Sequence, residues 1–354
     1  MKKYQTIKIG KFTIGERCPV FIIAEAGVNH NGNLDLAIKL VDAAKAAGAD
    51  AVKFQNFKVE EVVTDKAGMA EYQKRNTGKS ESQLEMGRKL ELKDKDFAVI
   101  AAYCKKQGIM FLSTPHGGFQ SVDLLQKLKV PAFKLGSADL NNLPIMDHAA
   151  RFKKPMIIAT GMATMQDIAE AVNCIRKTGN QKIIVFQCTT DYPSKLEDVN
   201  LRAMLTIRDK FNVTIGYSDH TVGTEASIIA VALGARVLEK HLTLDNAMNG
   251  PDHKASANPK DFKAYIKAIR NAEIILGSPQ KIVAQSARQY IPLVLKSVVA
   301  RGAISRGEKL TKENLAIKRP TGGLPPKFYW DMLGKKAKRN LEPDEFIREG
   351  DYGK

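Results

Sequence analysis

The 354-residue chain is 44% hydrophobic and 26% charged, ordinary values for a globular enzyme, and it can hold a domain of about 250 residues plus a small one. No apolar run approaches the roughly 18 residues of a membrane span, and the basic start "MKKYQTIKIG" lacks the apolar stretch of a signal peptide. A cytoplasmic protein without membrane attachment is therefore expected. The formal charge of +17 is spread over helix faces, with no aromatic-interleaved or zinc-finger pattern, which argues against nucleic acid and for small anionic substrates.

The segment "YQTIKIGKFTIG" alternates around a Gly-Lys turn and predicts a hairpin that plugs a barrel bottom. From Pro19 to about Ile275, eight short apolar runs alternate with amphipathic helical segments: "VFIIA", "AVKF", "MFLS", "AFKL", "PMIIA", "IIVFQ", "TIGY" and "VLEKH". The first helix opens after Asn31 or Asn33 and closes at Gly48; another ends near Gly179. This order predicts a (β/α)8 TIM barrel. A doubly wound sheet is the rival, but no G-x-G-x-x-G follows the first strand. The insert "KAGMAEYQKRNTGKSESQLEMGRKLEL" is long for a strand-to-helix connection and has the length of a lid. The expected domains are 1–277, a barrel with its hairpin, a linker 278–296, and a small β-rich domain 297–354. Cys18, Cys104, Cys174 and Cys188 are scattered and read as reduced thiols.

In such a barrel, polar residues at strand C-terminal ends face the active site. Those ends carry Glu25 with Asn29 and His30, Lys53 and Gln55, Ser113 and Thr114, Lys134 and Ser137, and Thr160. They continue with Thr189, Thr190 and Tyr192, then Ser218, Asp219 and His220, then Glu239, Lys240 and His241. Lys53 and Lys134 sit inside apolar runs, so each needs an anion, either an internal carboxylate or a ligand phosphate or carboxylate. The hydroxyls of Thr114, Ser137, Thr160 and Thr190 favour the ligand. His220 and His241 end neighbouring strands about 4.8 Å apart, so two nitrogens can reach one Mn, Co, Zn or Fe ion.

The stretches "IIAEAGVNHNGNLDLAIKLVDAAKAAGADAVKFQ", "FLSTP", "AFKLGSADLNNLP", "GYSDHT", "EKHLTLD" and "GPDHKAS" resemble the sialic acid synthase family, and "NLAIKRPTGG" resembles its C-terminal antifreeze-like (SAF) domain. The resemblance implies condensation of phosphoenolpyruvate with an N-acylated mannosamine-type sugar. It implies phosphoenolpyruvate contacts at Lys53, Thr114, Lys134, Ser137, Thr160, Thr190 and Ser218. It also implies metal ligation by His220 and His241, usually of Mn²⁺, with Mg²⁺ or Co²⁺ as alternatives. Sugar contacts are implied near Gln55, Tyr192 and Asp252, with Arg319 reaching the site from the small domain of a swapped homodimer. The chain departs from the family at "TPHGGF", where many members have "TPF", and at Thr190, where some carry asparagine.

The chemistry this implies is attack of C3 of phosphoenolpyruvate on the sugar aldehyde, capture of C2 by water, and loss of phosphate. Glu25 is read as the base or orienter of that water, or as the ion-pair partner of a lysine such as Lys53; the two roles are compatible. The motifs "AEAGVNHNG" and "KFQ" resemble the branch making N-acetylneuraminate or legionaminate more than the pseudaminate branch, with N-acetylmannosamine the first expectation for the sugar. A non-catalytic phospho-metabolite binder would keep both lysines without needing His220 and His241. A metal-dependent aldolase would keep the metal but release no phosphate.

Overall fold

The computed structural model describes residues 6–78 and 81–354. Residues 1–5 of the basic start and hairpin segment, and Lys79 and Ser80 of the long insert, lie outside them. The chain divides into two compact units, Met1–Gly277 and Ser278–Lys354.

The first unit opens with an antiparallel hairpin, β1 (Ile7–Ile9) and β2 (Phe12–Ile14). Eight parallel strands follow: β3 (Phe21–Gly27), β4 (Ala51–Asn56), β5 (Met110–Pro115), β6 (Phe133–Leu135), β7 (Met156–Ala159), β8 (Ile183–Gln187), β9 (Thr214–Asp219) and β10 (Val237–His241). β10 pairs with β3, and the ladder runs β5-β4-β3-β10-β9-β8-β7-β6. β5 and β6 pack side by side to bring the ends together. The result is a nearly closed (β/α)8 barrel, as the sequence implies.

Period-two alternation sorts each strand into two layers. Ile22, Ala24, Val52 and Phe54 face the surrounding helices. Phe21, Ile23, Ala51, Leu112, Ile157, Ile184, Phe186 and Val237 point inward and pack with Ile7, Ile9 and Ile14 of the hairpin. The hairpin thus closes the N-terminal end with apolar side chains, and continuing the inward register puts Glu25, Lys53, Glu239 and His241 at the opposite end. Asn33 caps the first helix (Leu34–Ala47) by accepting from Leu36 N–H, worth about 1 kcal/mol, and Gly48 ends it in the left-handed region.

In the second unit, β11 (Ser297–Ala300) pairs antiparallel with β12 (Leu315–Lys318), and β13 (Lys336–Ala337) with β14 (Tyr352–Gly353). Val298, Ile304, Leu310, Leu315, Met332, Leu341 and Ile347 form its small core. Two short helices, Gln285–Arg288 and Ile291–Val294, precede β11. Arg319 follows β12 on an exposed turn.

Candidate active site

A cavity of about 290 Å³ opens at the C-terminal end of the barrel. Among the sequence-predicted residues it is lined by Glu25, Gln55, Thr114, Lys134, Ser137, Thr190, Tyr192, Ser218, His220, His241 and Asp252. Of the barrel residues that the resemblance implies, Thr160 and Lys53 do not line it. Arg319 belongs to the second unit. Thr160 donates its hydroxyl to the Phe186 carbonyl at 2.7 Å, which ties β7 to β8. Lys53 sits one layer deeper, 1% exposed, between two carboxylates.

Those carboxylates make the floor of the site. Lys53 Nζ lies 2.8 Å from Glu25 Oε2 and 3.6 Å from Glu239 Oε1, and it donates to Thr114 Oγ1 at 3.0 Å. Lys134 Nζ is 3.1 Å from the same Glu239 oxygen. Both lysines therefore have internal carboxylate partners, and two ammonium groups balance two carboxylates. Glu239, which also lines the cavity, is the hub; the sequence places it among the strand-end residues facing the site, without a specific role. Its signal is spacing: two residues before His241 on β10, it must share the inward face, while Lys240 turns outward to Asp219 at 3.1 Å.

Burial sets the protonation of these groups. Burial favours a neutral Glu239, but Lys134 and Lys53 outweigh it and hold the carboxyl at about 2. For Glu25 burial wins over the Lys53 charge and raises its pKa. Asp252 is pushed up to about 7 by burial, with the Glu25 charge adding to it.

His220 and His241 face each other with ring centroids 5.7 Å apart, and Tyr192 packs on both, 4.2 Å from His220 and 5.4 Å from His241. His220 Nδ1 is 2.6 Å from the Thr189 carbonyl. That contact puts the proton on Nδ1 and leaves the Nε2 lone pair toward the cavity, where the Ser218 hydroxyl lies 3.2 Å from it, the tautomer typical of a metal-ligating histidine. His241 Nδ1 is buried with no hydrogen-bond partner among the described residues, and Asp252 Oδ2 is 3.8 Å away. Burial lowers His220 to about 4 and His241 well below its usual range, so both rings are in the neutral form a metal needs. Among the described residues no group of three or more His, Cys, Asp or Glu side chains gathers for a metal. The donor set is two imidazoles, which fits a divalent ion with its other positions left to water or substrate.

One wall is tightly built. Ser137 Oγ accepts the Gly161 N–H at 2.9 Å, and a Cβ at Gly161 would fall 2.2 Å from Thr190 Oγ1 and 2.9 Å from Ser137 Oγ. The Thr190 hydroxyl is buried without a hydrogen-bond partner among the described residues, and such a group calls for a ligand oxygen. The opposite wall comes partly from the long insert, whose helices span Glu71–Thr77 and Gln83–Leu90. Gln73, Gln83, Met86 and Leu90 join Val28, Phe57, Val59 and Val62 there.

In the loop after β3, Val28 lines the cavity, while Asn29 and Asn31 shape it. Asn29 donates to the Leu242 carbonyl and to Ser256 Oγ. Asn31 donates to the Asn249 carbonyl and meets His253 Nε2 through its Oδ1 at 3.2 Å. It thereby clamps the 249–256 segment that carries Asp252.

Residues 40–281 match the NeuB family, and residues 296–352 match the SAF domain. The chain belongs to the NeuB family. Its relatives include the N,N'-diacetyllegionaminic acid synthase of Campylobacter jejuni subsp. jejuni serotype O:2, 46% identical over 93% of this chain and 98% of the relative. The N,N'-diacetyllegionaminic acid synthase of Legionella pneumophila subsp. pneumophila is 41% identical over 92% and 93%. Among solved structures, the N-acetylneuraminic acid synthetase of Leptospira borgpetersenii serovar Hardjo-bovis, in complex with citrate, is 32% identical. It covers 82% of this chain and 97% of its own, with a TM-score of 0.73. This NeuB-family chain thus shares most of its length with proteins named as N,N'-diacetyllegionaminic acid synthases and an N-acetylneuraminic acid synthetase.

Proposed function

We propose that the chain condenses phosphoenolpyruvate with an N-acylated mannosamine-type sugar, adds water and releases phosphate. The observation that carries this reading is the pair of neutral imidazoles, His220 and His241, set beside Lys134 and the unpartnered Thr190 hydroxyl in one cavity. A carbonyl-activating centre and an anion-holding wall are together what a phosphoenolpyruvate condensation needs. A mere phospho-metabolite binder has no use for the imidazoles.

In this reading Lys134, Ser137, Thr190 and Ser218 hold the phosphate and carboxylate oxygens. Lys53 and Thr114 act from behind, fixing Glu25 and Glu239. His220 and His241 would hold a divalent ion, Mn²⁺ or else Mg²⁺ or Co²⁺, which supplies Lewis acidity toward a carbonyl oxygen. Glu25, its Oε1 accepting from Gln55 at 2.9 Å, orients the water that captures C2 and can take its proton, since burial raises its basicity. Gln55, Tyr192 and Asp252 contact the sugar.

For the sugar we favour 2,4-diacetamido-2,4,6-trideoxymannose, giving legionaminate, over N-acetylmannosamine, giving N-acetylneuraminate. The wall of Val28, Phe57, Val59, Val62, Met86 and Leu90 suits a 6-methyl and a second acetamido methyl better than a 6-hydroxyl. The names of the two legionaminate synthases point the same way. The test is phosphate release on mixing the metal-loaded protein with phosphoenolpyruvate and each sugar in turn. Faster release with the diacetamido sugar is expected. No release with either would overturn the condensation, and preference for N-acetylmannosamine would overturn the choice of sugar.

We also propose a homodimer in which Arg319 serves the site of the other subunit. Support comes from the apolar exposure of the segment before β11, where Ile282, Tyr290, Leu293 and Leu295 are exposed; such a stretch marks an association surface.

A further inference from the structure

The lysines that would bind an anion are already neutralised by Glu25 and Glu239. A ligand bearing a phosphate and a carboxylate therefore meets a floor without net positive charge. The "TPHGGF" stretch adds a further hydrogen-bonding group at the cavity wall. His116 follows β5 and lines the cavity beside Gly136, Ser137 and Ala138. Its Nδ1 lies 2.5 Å from Asp139 Oδ2, with the two side chains 18% and 11% exposed. Nε2 is thus the ring nitrogen left for a ligand. The backbone that carries the ring is anchored: the His116 backbone N–H donates to the Asn56 carbonyl at 3.0 Å, while the Asn56 side chain accepts from Ser113 Oγ and donates to the Ser121 carbonyl. Position 136 accommodates it, because a Cβ there would stand 3.0 Å from His116 Cε1.

We propose that His116, held by Asp139, is a phosphate contact whose Nε2 donates to a phosphate oxygen of phosphoenolpyruvate on the Ser137 side of the cavity. With the Asp139 carboxylate beside Nδ1, the ring turns Nε2 to the ligand, where an Nε2–H can donate to a phosphate oxygen, and a bond to an ionised acceptor is among the stronger ones available. The inference rests on reading the cavity as a phosphoenolpyruvate site.

The test is phosphoenolpyruvate binding by calorimetry to the metal-loaded full chain, with His116→Asn and Gly136→Ala beside wild type. Loss of the bond is expected to weaken binding on the order of 10- to 100-fold in His116→Asn. Gly136→Ala, which keeps the ring but crowds it, should weaken binding in the same direction. The KM for the sugar should stay within about twofold, a split that general damage to the barrel would not give, and inorganic phosphate should inhibit both variants less than wild type. If His116→Asn does not fold, Gly136→Ala decides alone. Unchanged affinity in a folded variant, with wild type binding normally, overturns this inference and leaves the proposed function standing. Absence of binding by wild type overturns both.

Discussion

Lys53 Nζ sits 2.8 Å from Glu25 Oε2 with both side chains 1% exposed, and Glu239 stands 3.6 Å away on its other side. An acid at the end of the first barrel strand is thus an ion-pair partner as well as a candidate for handling water. The pairing separates the two buried lysines. Lys53→Met leaves Glu25 and Glu239 to share Lys134, and removing one partner of a buried pair costs about 3–5 kcal/mol. Lys134→Met, at the cavity surface, should mainly weaken phosphoenolpyruvate binding. Urea unfolding and calorimetry on both variants check this. Equal stability loss with equal binding loss would erase the distinction.

Glu25→Gln should bind both substrates yet turn over more slowly by about 10²-fold or more, if the carboxylate moves a proton. The amide keeps the shape and can still meet Gln55, so loss of kcat with little change in KM is the expected signature. A near-native kcat would reduce Glu25 to the lysine partner.

How far these placements were legible is clear from particular residues. Inward positions follow from alternation along each strand, so Glu25, Gln55, Lys134, Ser218, His220 and His241 could be assigned to one end of the barrel from the sequence. Partners could not. Glu239 neutralises Lys53 because β10 closes against β3 and β3 against β4, and the first of these pairings joins residues some two hundred positions apart in the chain. Thr160 lies beside the site in the sequence pattern, but β7–β8 register offers its hydroxyl the Phe186 carbonyl instead. His116 and Asp139 meet across two loops whose paths no periodicity encodes.

The metal prediction rests on neutral rings. His220→Ala and His241→Ala should each lower Mn²⁺ affinity by at least 10- to 100-fold, read by metal titration independently of activity. Chelation should abolish condensation while leaving the far-UV signal intact, because the ion is not needed to hold the barrel core. Full turnover in exhaustively stripped protein would sink the assignment.

His30 gives a pH dependence outside the proposed chemistry. It is buried after β3, and burial lowers its pKa from 6.5 to about 4. Above pH 6.5 both folded and unfolded chains carry it neutral. As the pH falls through the window from 6.5 to about 4, the unfolded chain takes the proton first, so stability is lost on acidification. Between pH 6.5 and 5 that is about 2 kcal/mol for one such group. His30→Gln should flatten this part of the stability profile measured by denaturant unfolding at a series of pH values. A profile as steep as wild type would show that other groups carry the slope.

The swapped dimer can be tested without a structure of the pair. Arg319 sits on an exposed turn after β12 in the second unit, while His220 belongs to the barrel. Arg319→Ala and His220→Ala should each be inactive if both residues serve one site. Mixing them under conditions that exchange subunits makes about half of the dimers mixed. If each small domain serves the other subunit's barrel, one site of every mixed dimer regains both residues and the second site loses both. Roughly a quarter of native activity should then return. If each small domain serves its own barrel, every site in the mixture carries one of the two defects, and no activity returns despite demonstrated exchange. A guanidinium is the group that suits the sugar's polar oxygens, so Arg319→Lys should recover less than the charge alone would restore. An active Arg319→Ala homodimer would remove Arg319 from the site whichever way the domains are arranged.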